Sequence, residues 1–61
     1  MRITLDIGNT HTKVALFDGD TMLALDTPSH LEAHLHTLCR HHPVDHLVAS
    51  VTGTAPDWDT I

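Results

Sequence analysis

The sequence predicts a small α/β unit in the order β-β-β-α-β, with three antiparallel strands and one parallel strand. Three observations predict it. Residues 2–7 alternate apolar and polar, an Asp-Gly reversal at 18–19 separates two further strand-like runs, and the apolar spacing turns helical near residue 30.

In Arg2-Ile3-Thr4-Leu5-Asp6-Ile7, the three apolar side chains fall on one face and Thr4 and Asp6 on the other. That is the pattern of a strand with one face in a core. Gly8-Asn9-Thr10-His11 reads as a turn, because Gly and Asn tolerate the left-handed conformations of a tight reversal. Residues 12–17 resume strand character. Asp18-Gly19-Asp20 is a hairpin signal, and residues 21–25 make a third strand. These runs are expected to form an antiparallel meander.

The helix is expected near residues 30–42. Ser29 with Glu32 three residues on fits a capping box, and His41-His42 and Pro43 load and stop the far end. Leu31, Leu35, Leu38 and Cys39 form one apolar stripe, which assigns Cys39 to the core. The run at 46–51 (His-Leu-Val-Ala-Ser-Val) includes an apolar stretch that does not alternate, as in parallel strands covered on both faces. A crossover back onto the meander follows.

Length and charge narrow the function classes. Sixty-one residues make one small unit, in which hydrophobic burial and chain ordering nearly cancel. Cys39 is the single cysteine, so no disulfide within the chain can supplement it. A multi-domain machine, a secreted disulfide knot and a membrane span are excluded. What remains is a marginal domain, an oligomer or a piece of something larger. Three basic residues against eight acidic ones give a net charge of −5, which repels polyanions and argues against a nucleic-acid partner. Seven histidines make that charge sensitive to pH near their ordinary titration range. No signal peptide and no long apolar run are present, so a reduced, cytoplasmic protein is expected. Thr54, Pro56, Asp57 and Asp59 have the chemistry of a helix start, yet the chain stops at Ile61. The expectation is an N-terminal portion of a longer, truncated domain.

The informative chemistry lies in Asp6-Ile7-Gly8-Asn9-Thr10-His11-Thr12-Lys13. Gly8 permits close backbone approach, Asn9, Thr10 and Thr12 offer neutral donors, and Lys13 is a compact charge suited to phosphate. A carboxylate beside phosphate donors suits Mg²⁺, which takes one or two carboxylates together with water and phosphate oxygens. No Walker sequence is present. A plain Gly-Asn hairpin with solvated polar neighbours satisfies the same residues.

The string Asp6-Ile7-Gly8-Asn9-Thr10, followed by Thr12-Lys13-Val14-Ala15-Leu16-Phe17-Asp18-Gly19, closely resembles the N-terminal phosphate-binding motif of type III pantothenate kinases. These belong to the actin-like ATPase superfamily, with a ribonuclease-H-like fold. The layout is similar too: three antiparallel strands, a helix opened by Thr27-Pro28, and an apolar strand ending Ala49-Ser50-Val51. The likeness covers most of this chain but only about the first quarter of a typical member. The motif is fairly specific, since sugar and acetate kinases of the superfamily more often show other residues where Asn9 stands.

The resemblance implies a partial ribonuclease-H-like domain from a kinase that transfers the ATP γ-phosphate to pantothenate, the first committed step towards coenzyme A. It implies Asp6 at the magnesium site, mainly through water, and Gly8, Asn9, Thr10 and Lys13 at the ATP phosphates, with Thr12 a weaker candidate. A monovalent cation (K⁺ or NH₄⁺) and a homodimer come with the family. The family's Gly-x-Asp-Arg segment, with its catalytic carboxylate and pantothenate contacts, has no counterpart in these residues. No catalytic residue is therefore assigned within the chain, and the piece alone is expected to be inactive. Thr52-Gly53 stands where many relatives have Val-Pro, so Ser50 stays outside the candidate site.

Two rival readings remain: a small non-enzymatic α/β module that binds a partner through its exposed sheet, and a fragment of another actin-like kinase with a different acceptor. His30 and His34 are spaced to share a metal on the helix, although a solvated histidine-rich helix accounts for them. Trp58 is expected to pack on the sheet or to sit in the final helix start, and Arg2 and Arg40 to be surface charges.

Overall fold

A computed structural model describes residues 1–53. Strands β1 (Arg2–Ile7), β2 (Thr12–Asp18) and β3 (Thr21–Asp26) precede helix α1 (Leu31–His41), and β4 (His46–Val51) follows it. The strands form one mixed sheet in the order β3-β2-β1-β4, with antiparallel meander pairings and β4 parallel to β1. This is the small α/β arrangement expected from the sequence. The helix start expected around Thr54 and Asp57, and Trp58, lie outside the described residues. No helix among the described residues is long and apolar enough to cross a membrane.

The alternation of β1 becomes burial. Ile3, Leu5 and Ile7 are buried while Arg2 and Asp6 are exposed. Opposed residues of neighbouring strands share a face. The register Ile3↔Leu16 and Leu5↔Val14 therefore brings the β2 side chains to the same side. Leu35 and Leu38 of α1 complete this core, with Met1, Ala24, Leu31 and Val44 packed at its rim. On the opposite face, Arg2 lies over the ring of its cross-strand partner Phe17, 5.2 Å from the centroid. Arg2 is thus a surface charge, as expected, that also covers an aromatic face.

Five expectations are corrected. The helix starts at Leu31 with His30 as its N-cap and no side-chain cap, so Ser29 lies one residue too early for a capping box. Cys39 is exposed; the sheet meets the helix through Leu31, His34, Leu35 and Leu38, and residue 39 turns away from that stripe. β4 is exposed at all six positions rather than covered on both faces. The helix leans the other way, towards β3, where His34 Nε2 lies 3.3 Å from Asp26 Oδ2. That nitrogen is buried and makes no hydrogen bond, so His34 is not one of a set of freely solvated histidines. Finally, the β1–β2 reversal uses no left-handed residue, since Gly19 has the one positive φ among the described residues.

Gly19 and Asp20 form a two-residue link between the paired residues Asp18 and Thr21. Gly at the first central position with φ +60° and Asp20 without a positive φ match a type II′ hairpin. The N-terminal end is tied across the sheet. The Met1 ammonium donates to Pro43 O at 2.8 Å and to Asp45 Oδ1 at 3.2 Å, and the Asp45 N–H donates to Met1 O at 3.0 Å.

Candidate functional site

The candidate residues flank the link from β1 to β2. Asp6 and Lys13 are directly opposed across the antiparallel pair, and both are exposed on the face away from α1. Opposed Cβ atoms in such a pair are about 5 Å apart. The carboxylate and the ammonium therefore share one small surface. The Asp6 carboxylate makes no ion pair or hydrogen bond with any other described residue.

The turn itself is closed by the Gly8 N–H, which donates to His11 O at 2.9 Å. Asn9, Thr10 and His11 are exposed, and Gly8 is half-buried. A Cβ on Gly8 would sit 3.1 Å from His11 O, so the glycine serves a tight approach rather than a left-handed conformation. Thr12 is separated from the others. It pairs with Ile7 and so lies on the core side of the sheet, opposite Asp6 and Lys13. The structure thus gathers Asp6, Gly8, Asn9, Thr10 and Lys13 at one end of the hairpin and sets Thr12 apart.

A second wall was not anticipated. Beyond β4, the Thr52 N–H donates to Ile7 O at 2.8 Å, the Gly53 N–H at 3.2 Å and Thr52 Oγ1 at 3.2 Å. Three donors converge on one carbonyl, and Gly53 is pressed against Gly8 and Asn9. Ser50 is the parallel partner of Asp6, so Lys13, Asp6 and Ser50 form one row across β2, β1 and β4. Ser50, which the sequence reading keeps outside the candidate site, therefore lies in line with Asp6 and Lys13. The sequence signal was an isolated glycine straight after a strand, which often marks close backbone approach.

The carboxyl ends of the parallel strands β1 and β4 meet here, where open α/β sheets commonly take their ligands. The site is an open surface. Two shallow depressions lie elsewhere, one beside His30 and Leu31 and one between Arg2, Gly19 and Val48. Among the described residues no group of three or more His, Cys, Asp or Glu side chains gathers as a metal site, and His30 and His34 are no exception. Comparison with family models, curated proteins and solved structures gives no match.

Proposed function

We propose that the β1–β2 hairpin binds the terminal phosphates of ATP and is the first phosphate-binding element of a kinase resembling type III pantothenate kinases. The observation that carries this reading is the opposition of Asp6 and Lys13 in the last polar row before an exposed Gly8-Asn9-Thr10 turn. Lys13, Asn9, Thr10 and the Gly8 backbone would contact phosphate oxygens. Asp6 has its carboxylate free of other described partners, as a water-mediated Mg²⁺ ligand requires. Mg·ATP, when bound, supplies the phosphoryl group; the chain's own residues orient it and balance its charge. Thr12, on the core side, drops out of the phosphate set.

The strand order, with β4 parallel to β1 beyond a helical crossover, supports a partial ribonuclease-H-like domain. Pantothenate as acceptor, the monovalent cation and the homodimer rest on the sequence resemblance alone. The catalytic carboxylate would come from outside these residues, so the piece binds without turnover.

The test is a titration of the isotopically labelled chain with Mg·ATP, followed by amide resonances. Shifts confined to residues 6–13 and the adjoining 50–53, weakened by Asp6→Asn and by omitting Mg²⁺, support the reading. Unmoved resonances in that segment at millimolar Mg·ATP overturn it for this chain.

A further inference from the structure

The row Lys13, Asp6 and Ser50 is uneven in charge. In-register residues of neighbouring strands share a face, so all three side chains stand on the side of the sheet away from α1. Neighbouring strands lie about 5 Å apart. Asp6 therefore has an ammonium on its β2 side and a neutral hydroxyl on its β4 side. All three residues are exposed, and the Ser50 hydroxyl makes no hydrogen bond with another described residue. The hydroxyl of Thr52, two residues on, is already engaged at Ile7 O. Of the other β4 residues on this face, Val48 is apolar and His46 lies at the opposite end of the strand beside Arg2.

A phosphate and its divalent cation meet these two sides differently. The Lys13 ammonium attracts phosphate oxygens and repels a metal ion. At about 6 Å in a water-like dielectric, one unit charge disfavours a divalent ion roughly tenfold. Mg²⁺ keeps several of its waters, and those waters donate hydrogen bonds to nearby acceptors. Asp6 supplies carboxylate oxygens, and Ser50 Oγ is the next acceptor on the side away from the ammonium. We propose that Ser50 is a positioning residue for the hydrated cation: its hydroxyl accepts a hydrogen bond from a metal-bound water. The phosphates then lie towards β2 and the metal towards β4. This inference rests on the phosphate-binding reading of the hairpin and adds to it a residue and a direction across the sheet. Residues that hold a metal's ligands in this way orient the ion without touching it.

The experiment titrates the isotopically labelled chain with ATP, first free of metal and then with Mn²⁺, whose unpaired electrons broaden nearby amide resonances. Ser50→Ala, Ser50→Lys and the charge control His46→Lys are measured beside it. Stronger broadening at Ser50 and Val51 than at Thr12 and Lys13 is the expected pattern. The metal-dependent gain in ATP affinity should fall about threefold to tenfold in Ser50→Ala, as loss of one hydrogen bond implies. It should fall about tenfold or more in Ser50→Lys and stay in place in His46→Lys. Shifts at residues 9–13 with metal-free ATP should be the same in Ser50→Ala as in the wild type. Broadening centred on Thr12 and Lys13 overturns the proposal and leaves the hairpin reading standing. So does a Ser50→Ala chain that keeps the wild-type gain. Absence of ATP shifts at residues 6–13, with or without metal, removes the hairpin reading and this proposal with it. Should Ser50→Lys fail to fold, the broadening pattern and Ser50→Ala decide.

Discussion

Gly53 stands so close to Gly8 that a Cβ on it would collide with the Gly8 carbonyl oxygen and lie 2.8 Å from its carbonyl carbon. Both contacts are to backbone, which has no flexible end to swing aside. The end of β4 and the turn after β1 are thus fitted to each other, and Ile7 O holds them together by accepting from Thr52 and Gly53.

Gly53→Ala is expected to force the two segments apart and cost about 1–3 kcal/mol, in the range of other overpacking changes. Amide resonances of Gly8 and Asn9 should move with it. Gly19→Ala is the contrast. Its Cβ would meet nothing within 4 Å, but φ +60° makes the backbone strained, at about 1 kcal/mol with no effect on the distant turn. Denaturant midpoints with amide spectra distinguish the two; an unshifted Gly8 and Asn9 in Gly53→Ala would contradict the fitted contact.

Leu35 is fully buried between the helix and the strands β1 and β2. Leu35→Ala is expected to cost about 2–5 kcal/mol, enough to unfold most of a chain this small. Circular dichroism at room temperature reads it directly. A variant that keeps the wild-type melting curve would mean that α1 does not pack as described.

Cys39 is exposed, so its thiol should react with an aromatic disulfide reagent in the native state nearly as fast as in denaturant. Protection by a factor of about a hundred or more would return it to the core.

The Asp45 carboxyl is held below its ordinary value, first by its hydrogen bond from the Met1 ammonium and then by that from His46. A depressed carboxylate pKa contributes stability above the unfolded-state value, and that contribution is lost as pH falls through the folded one. Asp45→Asn should therefore remove this one contribution and make the acid-side loss of stability shallower. Raised salt should shift the Asp45 titration back towards its ordinary value, because the pair is solvent-exposed. A carboxyl resonance that titrates normally at low salt would remove the pairing.

Much of this was legible in the sequence because it depends on local periodicity. The alternation in β1 names Ile3, Leu5 and Ile7 as core, and Asp18-Gly19-Asp20 marks its hairpin within a residue. What was not legible depends on neighbours. Leu38 and Cys39 both fit a helical stripe, and only the direction in which α1 leans decides that one is buried and the other is not. The apolar run of β4 says that it can be covered, not that it is. At the candidate site, Asp6, Gly8 and Lys13 announced themselves by residue type. The face taken by Thr12, and the arrival of Ser50 and Gly53, follow from cross-strand register, which no single segment encodes.

The sheet order also sets a sequence of events in folding. The meander joins residues near in the chain, whereas the contacts that open the β1–β4 pairing span a separation of 44 positions, from Met1 to Asp45. The entropy of closing the intervening loop is lost before the β4 contacts repay it, so those late-forming contacts should govern how fast the native state opens rather than how fast it forms. A Val51→Ala chevron shifted on its unfolding limb alone is the expected kinetic signature; a slowed refolding limb would place β4 in the nucleus instead.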